Sequence, residues 1–127
     1  MVQPSFQELA AERYVCLVTF RRNGIGVPTP IWVAPDAGKL YAVTDGTSAK
    51  MKRLKVSGGV RLAACDARGK VSGEWVDGHA RRVDDPAVVA RAMAALGRKY
   101  GWQFTLLNLF SRLFGRIGRR AFIEMTL

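Results

Sequence analysis

The chain has 127 residues, 49% of them hydrophobic, and carries a net charge of +10 from 20 Lys+Arg against 10 Asp+Glu. That length suits a single domain spanning residues 1–127, and the charge suits a polyanionic partner: nucleic acid, anionic lipid or an acidic cofactor. No apolar run approaches the roughly 18 residues of a membrane-spanning helix and the first residues lack the blocks of a secretion signal, so a cytosolic location is expected.

Phe6, Leu9 and Ala10 fall at helical spacing and Ser5 with Glu8 forms a capping-box pattern, which predicts a short leading helix over Gln7 to Arg13. Tyr14 to Phe20 is a β-branched and aromatic run. Arg21-Arg22-Asn23-Gly24 follows it, and Asn-Gly is a hairpin signal, so Ile25 to Ala34 should run back antiparallel. Pro28 and Pro30 remove donors from that second strand and confine it to an edge, a bulge or a ligand-facing position. Asp36-Ala37-Gly38 turns the chain into a third strand, Lys39 to Thr44.

The next segment carries the chemistry. Thr44-Asp45-Gly46-Thr47-Ser48-Ala49-Lys50-Met51-Lys52-Arg53-Leu54 reads as a strand end, a turn, capping hydroxyls and a short helix opening with cations. Such a helix start offers unpaired backbone N–H groups and the positive end of the helix dipole, so anions collect there. Lys50 and Arg53 share a face, while Met51 and Leu54 form a small apolar face that pins the helix on a sheet. A capped surface helix with solvated lysines has the same pattern, and Lys52 points away from Lys50, so only part of the cluster can serve one ligand.

Ser57-Gly58-Gly59 ends that helix, Val60 to Cys65 makes a fourth strand, and Asp66 to Gly69 turns into a fifth, Lys70 to Val83, with bulges expected at Gly73 and Gly78. Asp85-Pro86 starts a helix whose apolar positions continue to Gly101. A second Leu/Phe stripe spans Trp102 to Ile117. It is read as core or interface packing, with a cap over a substrate pocket or a membrane contact through Arg112, Arg116, Arg119 and Arg120 as the less favoured readings. Ala121 to Leu127 alternates as a sixth, closing strand.

His79 is the single histidine, and Cys16 and Cys65 sit in separate apolar runs, so multi-His or Cys-x-x-Cys metal sites are excluded and the thiols are expected to be buried and reduced. His79 is read as structural. No G-x-S-x-G, P-loop or strand-to-helix G-x-G-x-x-G is present, and an enzyme built this way would rely on a bound cofactor for its reaction. Neither a recognition-helix pattern nor an interleaved aromatic platform for nucleic acid is seen.

In order, Tyr14 to Phe20, the Asn23-Gly24 turn, Pro28 to Val33, Leu40 to Thr44 and Ser48 to Leu54 resemble the flavin-binding split-barrel superfamily. Within it the chain is most similar to the pyridoxamine-phosphate-oxidase-like group of deazaflavin (coenzyme F-420) dependent oxidoreductases. Cys65 to Trp75, continuing through Ala80, is similar to a stretch of one actinobacterial subfamily. The resemblance implies a mainly β fold with helices, a six-stranded antiparallel split β-barrel, assembled as a homodimer with its cofactor in an interface groove. It implies that Thr29, Pro30 and Ile31 lie along the tricyclic ring, that Thr44 ends its strand beside the ribityl chain, and that Ser48, Lys50 and Arg53 hold the phosphate. Trp32 and Trp75 border the ring or belong to the core. The implied activity is hydride transfer from reduced F-420 to an unsaturated small molecule, with FMN as the alternative cofactor. A non-catalytic carrier of F-420, FMN or haem is the second reading, and a basic domain binding nucleic acid or anionic membrane the third.

Overall fold

Along β1 (Tyr14–Phe20) the alternate residues Val15 and Leu17 are wholly buried on one side while Cys16 is buried on the other, so this strand is covered on both faces. That double burial organises the molecule. A computed structural model describes residues 6–45, 49–56, 58–106 and 120–127. After helix α1 (Phe6–Ala11) and β1 come β2 (Gly26–Ile31), β3 (Ala34–Asp36), β4 (Lys39–Asp45), α2 (Ala49–Val56), β5 (Gly59–Cys65), β6 (Val76–Val83), α3 (Pro86–Tyr100) and β7 (Arg120–Thr126). Residues 102–106 add a further helical turn.

The strands form one antiparallel sheet in the order β2-β1-β5-β6-β7-β4-β3. Its two edge strands, β2 and β3, are successive in the chain with only Trp32 and Val33 between them, which bends the sheet round on itself. This is an antiparallel half-barrel of the split-barrel type. Inside it lie Val15, Leu17, Ile31, Val33, Leu40, Ala42, Val60, Leu62, Val76, Ala80, Ala121, Ile123 and Met125, with Leu9 of α1 and with Met51 and Leu54 of α2. Helix α3 covers the outer face, where Ala92, Ala95, Leu96 and Tyr100 meet Ala34, Tyr41, Val83 and Phe122. β7 therefore contributes alternate side chains to two cores, as its period of two dictates.

The sheet has seven strands where six were expected, because the single strand predicted over Ile25 to Ala34 divides at Trp32–Val33: β2 pairs with β1 and β3 with β4. The Asn-Gly turn forms as predicted, with Gly24 at φ 85° and Asn23 Oδ1 accepting the Ile25 amide at 3.1 Å. The predicted fifth strand is shorter than its sequence range. Asp66 Oδ1 accepts the amides of Arg68 and Lys70, each at 2.9 Å, and holds the predicted turn; beyond it Val71 makes only an isolated bridge to Cys65, and β6 begins at Val76. Ser72 and Gly73 both direct their amides at the Ala64 carbonyl, two residues opposing one in the manner of a bulge. Gly78 is not a bulge, since the register runs unbroken through it. Its missing side chain is required by proximity, a Cβ there lying 2.9 Å from the Thr126 carbonyl oxygen.

Helix α3 starts where Asp85 accepts the Ala87 amide at 2.9 Å and Pro86 takes the first helical position, and it ends at Gly101 with φ 59°. The rest of the predicted Leu/Phe stripe, beyond Leu106, lies outside the described residues. Among those that are described, no helix is long and apolar enough to cross a membrane.

Candidate functional site

Helix α2 sits over one end of the half-barrel, held by Met51 at 2% exposure and Leu54 at 9%. Its apolar pair faces the interior core, which turns Lys52 and Arg53 to its rim. There they meet the end of β1 and the turn after it: Phe20, Arg21, Arg22, Lys52 and Arg53 line a cleft of about 290 Å³. Among the described residues no carboxylate pairs with any of these cations. Elsewhere five arginines are matched, Arg61 with Asp77, Arg81 with Glu124, Arg82 with Asp84, and Arg91 and Arg98 with Asp36, whereas the four cations here are gathered in one place without such a described partner. Concentrated positive charge without internal compensation is what an anion subsite requires.

Arg53 is fixed within this cleft. Its Nε–H donates to Thr19 Oγ1 at 2.6 Å, and Thr19 is itself buried at 1% exposure. Thr44 continues the inward-facing series of Leu40 and Ala42 toward α2, and Thr29 lies on the same face of the β1–β2 pair as Thr19, diagonal to it across the register. Thr29 and Thr44 thus lie on inward-facing strand positions, but neither lines the cleft, and the threonine that Arg53 meets is Thr19. Ile31 is sunk in the interior core, and Pro30, one residue along β2, faces the opposite side, near Gly69. Ser48 and the side chain of Lys50 lie outside the described residues. Sequence reasoning gave Arg21, Arg22 and Thr19 no part in the site and set Lys52 apart from Lys50 within the cationic cluster. The paired arginines before the Asn-Gly turn were a visible signal. Thr19 was not, because a threonine in a β-branched strand reads as filler.

A second cleft, of about 280 Å³, opens on the other flank of α2 between Met51, Leu54, Gly58 and the His79–Arg82 segment of β6. Its arginines are already paired with Glu124 and Asp84, leaving little net charge. Trp32 stacks on Tyr100 with ring centroids 4.4 Å apart and meets Tyr14 edge-on, while Trp75 lies under Arg61. Trp32 therefore belongs to the packing beneath α3. Cys16 and Cys65 are buried free thiols, and burial pushes both up, Cys65 to about 11. Neither is an activated nucleophile. Among the described residues no His, Cys, Asp or Glu cluster is placed to hold a metal ion.

Residues 3–127 match the pyridoxamine 5'-phosphate oxidase family. The chain belongs to that family. The fold agrees with solved structures of low sequence identity. A conserved hypothetical protein from Mycobacterium tuberculosis is 20% identical with a TM-score of 0.68, over 94% of this chain and 78% of that one. The heme storage protein HutZ from Vibrio cholerae is 13% identical with a TM-score of 0.70, over 98% and 90%. A NimC/NimA family protein from Clostridium acetobutylicum is 20% identical with a TM-score of 0.64, over 94% and 76%. No curated protein sequence matches the chain. Four cations without a described carboxylate partner make the cleft beside α2 suited to an anionic group such as a phosphate.

Proposed function

We propose that the protein is an oxidoreductase dependent on the deazaflavin coenzyme F-420, reducing an unsaturated small molecule. One observation supports the reading above all: Arg21, Arg22, Lys52 and Arg53 line one cleft and no described carboxylate neutralises them. A ligand ending in a single phosphate would use part of that charge. A phosphate followed by a chain of carboxylates would use all of it, which favours the deazaflavin, with its oligoglutamate tail, over FMN. When bound, the cofactor supplies the hydride.

In this reading Arg53 holds the phosphate, joined by Ser48 and Lys50 as the family resemblance implies, and Lys52, Arg21 and Arg22 take the carboxylate tail. Thr29 and the backbone of the open β2 edge border the ring, and Thr44 approaches the ribityl chain. The groove is completed by a second copy of the chain. No side chain of the protein is required to form a covalent intermediate, so its contribution is position, electrostatics and the exclusion of water.

The test is to purify the protein from a host that makes the deazaflavin and to record the absorbance and fluorescence of what co-elutes. Bound F-420 that is lost from Lys52→Ala and Arg53→Ala variants is the expected result, and turnover of reduced F-420 separates an enzyme from a carrier. Co-elution of FMN or haem, or retention of F-420 by both variants, would overturn the assignment.

A further inference from the structure

Thr19 occupies the inward-facing series of β1 behind Val15 and Leu17, a place where valine would satisfy both burial and β-propensity. A hydroxyl buried there costs free energy unless it is bonded. Its partner is Arg53, whose Nε–H reaches Oγ1 at 2.6 Å. Bonding through Nε holds the guanidinium plane at its root and leaves the two terminal nitrogens for the cleft that Arg53 lines with Arg21, Arg22 and Lys52. No carboxylate among the described residues competes for them.

We infer that Thr19 is a positioning residue: it locks Arg53 so that the terminal nitrogens act as a preorganised, bidentate receptor for a phosphate group in the cleft. The inference rests on the anion-binding reading of that cleft and goes one step inward from it. A free arginine side chain surrenders considerable rotamer entropy when it binds a ligand, whereas an arginine already fixed through Nε has lost most of it beforehand. Thr19 touches no ligand and acts only through Arg53. Lysine at position 53 would keep the charge but lose both the Nε bond and the planar fork.

The experiment measures dissociation constants of inorganic pyrophosphate and of coenzyme F-420 by calorimetry for wild type, Thr19→Val, Thr19→Ser, Arg53→Lys and the Thr19→Val/Arg53→Lys double variant, alongside each thermal midpoint. Thr19→Val should weaken both ligands about tenfold, Thr19→Ser should restore binding to within about twofold, and Thr19→Val should add nothing in the Arg53→Lys background. A purely structural role would move the midpoint without that coupling pattern. Unchanged affinity in Thr19→Val, or losses that simply add in the double variant, would overturn the inference. Should Thr19→Val fail to fold, Arg53→Lys decides: it should lose about tenfold, and wild-type affinity there overturns the lock. Wild type binding pyrophosphate but not F-420 would sink the cofactor assignment while the lock is still judged on pyrophosphate. Wild type binding neither would overturn both.

Discussion

The Tyr100 hydroxyl accepts the Val33 amide hydrogen at 3.0 Å, joining the end of α3 to the two-residue link between the edge strands. Its own proton is shared between the carbonyls of Arg13 at 2.9 Å and Val33 at 3.0 Å, and Lys99 Nζ donates to the carbonyls of Val33 and Glu12, each at 2.6 Å. Val33 lies between β2 and β3, so neither of its backbone polar groups belongs to a strand ladder. Two consecutive side chains of α3 satisfy them. The half-barrel is closed by this clasp rather than by continuous strand pairing.

Tyr100→Phe keeps the stacking on Trp32 and removes only the hydroxyl, leaving a buried amide without its acceptor. It should cost about 1–3 kcal/mol, measured as a lower urea midpoint with an unchanged denaturant slope. Stability equal to wild type would mean that the clasp is incidental.

Lys99 gives the clasp a pH dependence. Burial pushes its ammonium down to about 8, outweighing the favourable charge of Glu12, so between that value and the ordinary lysine range the unfolded chain holds more protons and stability should rise with pH. Burial, reinforced by the neighbouring Cys16, pushes the Cys65 thiol up to about 11, and burial holds the Tyr100 phenol at about 12 despite its hydrogen bonding with Val33. For these two the folded chain keeps a proton that the unfolded one has lost, so each lowers stability as pH rises from its ordinary value to its folded one. Urea midpoints should climb from about pH 8 to 9 and fall above about pH 10. Lys99→Met should abolish the climb and leave the fall.

Glu124 is 4% exposed and receives hydrogen bonds from Tyr41 at 2.8 Å, Arg81 at 3.0 Å and Lys39 at 3.4 Å. Burial alone would raise its pKa, but these three donors outweigh it and hold the carboxyl below its ordinary value. Its contribution is therefore complete above the ordinary carboxylate range and lost as pH falls through the lower, folded value. Glu124→Gln should cost about 1–2 kcal/mol at pH 7, moderated because Arg81 and Lys39 are exposed enough to be rehydrated. The difference from wild type should shrink in acid, and a constant difference down to pH 2 would contradict the assignment.

Two glycines should respond differently to alanine. At Gly78 a Cβ would meet the Thr126 carbonyl at 2.9 Å, and the β6–β7 backbones would have to part, at about 1–3 kcal/mol. At Gly58 the nearest atoms belong to the exposed His79 ring, which can swing aside, and the Ala80 carbonyl oxygen at 3.1 Å asks for a shift of only a few tenths of an ångström, so the cost should stay below about 1 kcal/mol. Thermal midpoints of the two variants test the ranking.

Elements whose signal is local were legible in the sequence: the Asn23-Gly24 hairpin, the Asp85-Pro86 start of α3 and the alternation of β7. The bend at Trp32–Val33 was not, because it depends on Tyr100 and Lys99, which lie more than sixty residues away. The turn capped by Asp66 was legible, but the strand expected from Lys70 was not realised before Val76, because Ser72 and Gly73 both direct their amides at the Ala64 carbonyl and break the ladder there. At the site, the cationic helix was visible from its own residues. Its partners Thr19, Arg21 and Arg22 come from another part of the chain and were brought to it by the fold.

Strand β7 lies between β6 and β4, yet it follows every other strand in the chain. During synthesis the nascent polypeptide would therefore hold two long unpaired edges until residues 120–126 had left the ribosome. Neither core can close before then, since β7 supplies alternate side chains to both. Until those residues emerge, the growing chain would be a client for whatever shields exposed strands in the cell.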